Sequence, residues 1–161
     1  MSDLSTTDEL FFNRSGLDRA RTETIVDDAL QNADDGELYL EYCQAESVSF
    51  DDKRVRNASF DTMQGFGLRA TAGEATGYSH SAELTEPAIK RAAQTVRAVQ
   101  TGHTGSQGDG PVATNHSLYS DESPLGQMNF EAKVKLLTEI DAYARAKDQR
   151  VRQVTASLAG E

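Results

Sequence analysis

The chain has 161 residues, one cysteine and a formal net charge of −10. This length suits one domain that buries roughly two-thirds of its unfolded surface. The acidity argues against nucleic-acid binding, because the electrostatic attraction to phosphate would become repulsion. One cysteine excludes an internal disulfide and fits a reducing compartment. We find no signal peptide and no apolar run near the ~20 residues of a membrane span, so we expect a soluble cytoplasmic protein.

The first third of the chain predicts an arm, a helix and a long strand. Residues 1–16 are polar except for one Leu-Phe-Phe cluster, and we expect a flexible arm that docks through that cluster. Apolar residues at three- and four-residue steps then predict a helix over 17–33. From Gly36 the apolar period changes to two, which predicts a strand with a bulge or bend near 44–47.

The next segment predicts three further strands joined by short turns. A turn at 51–53 leads into a strand over about 54–63. The stretch QGFGLRATAGEATGYSHS, residues 64–81, then alternates as two strands of a hairpin. Consecutive strands with short turns between them are typical of an antiparallel meander.

The remaining residues predict two helices, a loop and a last strand. A helix over about 86–100 follows Thr85, and a third helix begins after Asn129 and ends near residue 146. The glycine-rich segment 101–115 predicts a flexible loop, and alternation over 151–161 predicts a fifth strand. The predicted fold class is therefore α+β: a mostly antiparallel sheet of four or five strands with helices on one face, forming one domain over 17–161.

Motifs for catalysis or cofactor binding are missing from the sequence. His80, His103 and His116 lack partners at metal-binding spacing, and we interpret them as surface residues. Cys43 has no neighbouring histidine and is expected to be a buried, inert thiol. No Gly-x-Ser-x-Gly elbow is present, and the glycine-rich stretches lack the residues that complete a phosphate loop. We therefore assign no catalytic residue, no metal ligand and no cofactor to this chain.

Glycines inside the predicted hairpin are the unusual feature, because glycine weakens a strand and packs nothing. If the loop at Gly73-Glu74 has an odd length, one nearly bare face collects six residues. That face consists of Gly65, Gly67, Arg69, Gly77, Ser79 and Ser81. Two interpretations stay open. The face packs tightly on another part of the chain or a subunit, or an extended peptide lies near it. We predict a peptide- or domain-contact surface.

Several segments, taken in order, resemble a known family. QGFGLRA, GEATGYSHS and RVRQVTASLAG carry the likeness, which extends over about residues 17–161. In this order the segments resemble the N-terminal domain of the TldD/PmbA family, and they are more similar to its TldD branch than to the TldE (PmbA) branch.

The resemblance implies a function that this chain contains only in part. TldD-type proteins of the family are cytoplasmic zinc metallopeptidases that act on unfolded peptides; the older label "modulator of DNA gyrase" describes an indirect phenotype. They work with a TldE/PmbA-type partner chain. For this chain we expect such a partner or a second TldD-like subunit. The zinc motif belongs to a C-terminal domain, which is absent here, so zinc is expected outside this chain.

The final predicted strand stops at Glu161, which indicates a fragment of a longer chain. The alternative, from another functional class, is a stand-alone protein-interaction module with no peptidase parent. Neither interpretation includes direct contact with nucleic acid or a membrane.

Overall fold

The computed structural model describes residues 4–101 and 122–161. Within them the chain forms an α+β fold with one four-stranded antiparallel sheet in the order β3-β2-β1-β4, so the predicted fold class is confirmed. The helices are α1 (Leu4–Asp8), a π-helical turn (Glu9–Asn13), α2 (Arg19–Leu30), α3 (Glu86–Arg97), a 3₁₀ turn (Ala98–Gln100) and α4 (Phe130–Lys147). The strands are β1 (Asp35–Asp51), β2 (Arg54–Ala72), β3 (Ala75–Ser81) and β4 (Thr155–Gly160).

The strands are fewer and longer than the sequence predicts. The predicted strands over 54–63 and from 64 onward are one uninterrupted strand, β2. No turn residue pair separates them, and Gly65 alone does not end a strand. At the other end of the chain the strand begins only at Thr155, four residues later than predicted. The predicted loop beyond Thr101, together with His103 and His116, lies outside the described residues.

The chain divides into two compact units, and the first contains described residues 4–42 and 63–101. Its core lies between α2, α3 and the hairpin of β2 and β3, with Leu68 and Ile89 fully buried. The segment expected to be a flexible arm is helical over residues 4–13. Its Phe11 and Phe12 pack against this core.

Local capping explains where the helices of the first unit begin. The side chain of Asp18 accepts a backbone N–H at the start of α2, and Thr85 does the same for α3, as predicted. After α3 the amide of Gln100 donates a 2.7 Å hydrogen bond to the carbonyl oxygen of Ala29. This buried contact joins the ends of α2 and α3.

The second unit contains residues 43–62 and 122–161. Asn129 caps α4, as predicted, and the buried Leu137 of α4 packs against Val48 and Phe50 of β1. Strand β4 pairs antiparallel with β1, with Phe50 opposite Ala156. The helix therefore covers the face of the sheet formed by β1 and β4.

An arginine connects three parts of the second unit. Arg145 forms ion pairs with Asp141 on its own helix and with Asp52 in the β1–β2 turn, and it donates a 3.0 Å hydrogen bond to the carbonyl oxygen of Arg152. Asp52 and Lys53 have positive φ values of 48° and 71°. The hydrogen bond with Asp141 raises the pKa of Arg145 above its ordinary value. The guanidinium thus helps to hold a turn that is costly for residues other than glycine.

Across the described residues, no helix is long and apolar enough to cross a membrane.

The second unit contains a buried ion pair. Lys133 on α4 is 6% exposed, and its ammonium pairs with the carboxylate of Glu46 on β1. A more exposed pair, Lys135–Glu139, lies on the same helix with a nitrogen–oxygen distance of 3.9 Å.

These two Lys–Glu pairs give the first prediction. Glu46→Gln should lower the free energy of unfolding by ~3 kcal/mol, because it leaves the buried Lys133 charge without its partner. The matched variant Glu139→Gln should change it by less than ~0.5 kcal/mol. Urea unfolding followed by circular dichroism measures both values. Equal losses in the two variants would contradict the buried pairing.

Candidate contact surface

The turn between β2 and β3 has two residues, Gly73 and Glu74, and the register places Ala72 opposite Ala75. The predicted odd-length loop is therefore wrong. Gly73 has a φ of +59°. Glycine with positive φ in the first position of a two-residue loop is typical of a type II′ hairpin turn. The N–H of Gly73 also donates a 2.8 Å hydrogen bond to Asp34.

This register divides the six predicted surface residues between two faces. Directly opposed residues share a face, so the β3 residues Gly77, Ser79 and Ser81 lie on the side of the buried residues Ala70, Leu68 and Phe66. The β2 residues Gly65, Gly67 and Arg69 lie on the opposite side. The prediction of one continuous face is wrong, because a two-residue loop reverses the assignment of every β3 side chain.

We call the second side the outer hairpin face and define it by Gly65, Gly67, Arg69, Tyr78 and His80. Gly67 is not bare here. A Cβ placed on it would lie 2.6 Å from the hydroxyl oxygen of Tyr78. Tyr78 is the diagonal neighbour of Gly67 across the strands, and its ring covers the glycine while staying 60% exposed. The ring also stacks on His80, with 5.7 Å between the ring centres.

Gly77 lies on the core face, where the backbone of α3 approaches the sheet. A Cβ placed on Gly77 would lie 3.2 Å from the Cα atom and 3.3 Å from the carbonyl oxygen of Val96. Small residues of α3, including Ala92 and Ala93, are buried in the same core. For Gly77, tight packing within the same chain is therefore the correct interpretation.

Gly65 also lies against backbone, at the end of the hairpin. A Cβ at this position would lie 2.8 Å from the carbonyl oxygen of Ser81. A side chain here would push the end of β3 away from β2. This glycine permits a close approach inside the hairpin.

Arg69 is held by carboxylates of the neighbouring strand. Its guanidinium donates to Asp35 at 2.7 Å and to Glu37 at 3.1 Å. Both hydrogen bonds raise the pKa of Arg69 above its ordinary value, and the one with Asp35 contributes most. Arg69 therefore lies beside two carboxylates of β1 that match its charge.

The exposed tyrosines are the surface residues that our sequence reasoning missed. Tyr78 and Tyr39 are both 60% exposed, and Tyr39 follows Glu37 by two residues along β1. Leu38 and Leu40 pack against the core, so the alternation of β1 already directs Tyr39 to the opposite side. Aromatic side chains that are held beside charged groups are suited to protein contact.

Metal-binding geometry is not found in the described part of the chain. No group of three or more His, Cys, Asp or Glu side chains there is placed to hold a metal ion. His80 is exposed and stacked on Tyr78. The Cys43 thiol is half-buried rather than buried, and it donates to a Glu161 carboxylate oxygen at 3.2 Å.

These features define an α+β domain whose first unit has exposed aromatic side chains beside charged ones. Residues 36–99 match the family model described as PmbA/TldA metallopeptidase domain 1. The chain is 32% identical over 131 residues to a metalloprotease TldD homolog of Haemophilus influenzae, covering 80% of this chain and 27% of the relative. A TldD homolog of Buchnera aphidicola (subsp. Schizaphis graminum) is 27% identical over 137 residues, covering 84% of this chain and 28% of that protein.

Solved structures share the fold. TldE from Thermococcus kodakarensis superposes with a TM-score of 0.52 at 14% identity, over 86% of this chain and 33% of that one. A putative modulator of DNA gyrase from Bacteroides thetaiotaomicron superposes with a TM-score of 0.55 at 16% identity, over 88% and 34%. The chain belongs to the TldD/PmbA family, and it spans little more than a quarter of the length of the curated relatives it matches.

The two hairpin glycines give the second prediction. Gly77→Val should lower the free energy of unfolding by ~2 kcal/mol, because the added methyl groups meet the backbone of α3. Gly67→Val should change it by less than ~0.5 kcal/mol, because the exposed Tyr78 ring can rotate away and valine favours strands. Thermal and urea unfolding of both variants measures the difference. A larger loss for Gly67→Val would show that the register or the packing is different.

Proposed function

We propose that this chain is the N-terminal, non-catalytic domain of a TldD-like zinc metallopeptidase that acts on unfolded peptides in the cytoplasm. Metalloprotease activity of the longer protein is supported by the relatives named as metalloprotease TldD homologs. They match over most of this chain and about a quarter of their own length. The domain would contribute to the substrate path and to the contact with a partner subunit. Its partners would be peptides and protein, with no direct role for nucleic acid or a membrane.

Zinc is expected in a part of the protein outside this chain. The described residues do not fit a zinc site, since no set of three ligand side chains converges there. Zinc in proteins is typically held by several Cys, His or carboxylate ligands in a compact arrangement. We therefore derive no catalytic step from the residues of this chain.

The outer hairpin face is the observation that carries the contact role. It presents Tyr78 above Gly67, and Arg69 locked between two carboxylates, on a paired β-hairpin. Because β2 and β3 are paired along this surface, little backbone conformational entropy is lost when a partner binds. The TldE structure with the same fold favours a TldE/PmbA-type chain as the partner, and a second TldD-like subunit is the alternative.

The third prediction tests whether peptidase activity and zinc belong to a part of the protein outside this chain. The 161-residue chain, purified alone, should cleave no unfolded peptide and should retain no stoichiometric zinc after dialysis. The protein encoded by the longer reading frame, co-expressed with a TldE/PmbA-type chain, should cleave the peptide and retain zinc. Casein-peptide hydrolysis and elemental analysis give the two measurements. About one tightly held zinc per 161-residue chain would contradict the proposal, and a reading frame without a zinc motif would favour a stand-alone interaction module.

The fourth prediction tests the outer hairpin face. In the longer protein, Tyr78→Ser should weaken association with the partner chain by roughly tenfold, as expected for an aromatic residue central to an interface. The matched control is Tyr143→Ser on α4, since Tyr143 is also exposed, at 64%. Sedimentation velocity measures association, and urea unfolding checks that both variants stay folded. Equal association of the two variants would remove the contact role from this face.

A further inference from the structure

A row of exposed side chains on β1 contains a tyrosine and a carboxylate that are not matched. Asp35, Glu37, Tyr39 and Glu41 alternate along the strand, and all four are exposed. Asp35 and Glu37 form ion pairs with Arg69 of β2. Within residues 4–101 and 122–161, Glu41 forms no ion pair and no cation lies over the Tyr39 ring.

This row lies on the same side of the sheet as the outer hairpin face. The guanidinium of Arg69 reaches Asp35 at 2.7 Å and Glu37 at 3.1 Å, which places both carboxylates on the side to which Arg69 points. Tyr39 and Glu41 follow Glu37 at two-residue steps, and alternate residues of a strand share a face. Tyr39 and Glu41 therefore extend the surface that we propose as a subunit contact.

Other tyrosines of the chain show what Tyr39 lacks. The ammonium nitrogen of Lys147 lies 4.4 Å from the ring centre of Tyr143, and the Cζ atom of Arg14 lies 5.7 Å from that of Tyr42. At these distances a cation is attracted to the face of an aromatic ring. Tyr143 and Tyr42 thus have a cation from their own chain. The Tyr39 ring is 60% exposed and has none from the described part of the chain.

The charges beside Tyr39 favour a basic partner. Arg69 brings one positive charge to the two carboxylates Asp35 and Glu37, and Glu41 adds a third carboxylate. The row therefore has an excess of negative charge, which repels an acidic surface and attracts a basic one. Arginine fits both unmatched groups, because its planar guanidinium stacks on aromatic rings and donates several hydrogen bonds to carboxylates.

We propose that Tyr39 and Glu41 bind an arginine side chain of the partner subunit. The guanidinium lies over the face of the Tyr39 ring and donates to the carboxylate of Glu41. The strand places these two side chains about 7 Å apart on one face, so one extended arginine can contact both. We call this pair of residues the arginine site.

This inference rests on the proposed contact with a TldE/PmbA-type chain, and it identifies the chemistry of that partner's surface. The Tyr78→Ser test above asks whether this side of the sheet belongs to the interface. Variants at the arginine site ask whether a basic side chain binds there. If Tyr78→Ser weakens association and the variants at the arginine site do not, the proposed function stands and this inference is wrong.

The experiment measures association of the longer protein with a TldE/PmbA-type chain by sedimentation velocity at about 0.15 M salt. Glu41→Lys should weaken association by roughly tenfold or more, because a like charge would face the arginine. The matched control is Glu139→Lys, which makes the same change of net charge at an exposed glutamate of α4 in the second unit. It should leave the affinity within about twofold of the parent's.

A second pair of variants separates the aromatic face of Tyr39 from its apolar area. Tyr39→Phe keeps the aromatic face and should associate within about twofold of the parent. Tyr39→Leu keeps apolar area without that face and should weaken association by roughly fivefold. Urea unfolding checks that both variants are folded.

Three results would overturn the arginine site. One is association of Tyr39→Leu or Glu41→Lys that equals the parent's. Another is equal weakening by Glu41→Lys and Glu139→Lys, since net charge alone would then explain the effect. The third is equal weakening by Tyr39→Phe and Tyr39→Leu, since the hydroxyl group rather than the ring would then carry the contact. If the unaltered proteins do not associate, the proposed subunit contact is contradicted and the arginine site with it.

Discussion

The two-residue turn at Gly73-Glu74 is the constraint on which the first unit depends. It fixes the register of β2 against β3, and the register decides which side chain of each pair faces the helices. Gly77 then lies where the backbone of α3 approaches, and Tyr78 lies over Gly67. A change of one residue in this turn would bring Tyr78 into the core and Gly77 out to solvent.

The same constraint gives the hairpin glycines different functions. Gly77 allows a helix to approach the sheet, and Gly65 allows a strand end to approach its neighbour. Only Gly67 lies under a side chain that can move. On the outer hairpin face the Tyr78 ring can therefore move, while the neighbouring Arg69 is paired with two carboxylates.

Local signals in the sequence predicted α2, α3 and α4, but the helical segment over residues 4–13 was expected to be a flexible arm. Thr85 and Asn129 cap their helices as expected, because a cap depends on residues within one turn. The hairpin was predicted with its loop at Gly73-Glu74, but the length of the loop was wrong. Ala-Gly-Glu-Ala is a type II′ signal, and it was overridden because an odd loop separated small from apolar residues more cleanly. The ion pair between Asp52 and Arg145 joins residues 93 positions apart, and no local pattern predicts it.

The outer hairpin face offers a partner side chains rather than backbone groups. On this face Arg69 is matched by Asp35 and Glu37, and the exposed Tyr78 ring supplies most of the apolar area. An unfolded peptide gains main-chain hydrogen bonds only along a strand edge, whereas a folded subunit can cover side chains that project from the face of two paired strands. The outer hairpin face is therefore suited to a folded subunit.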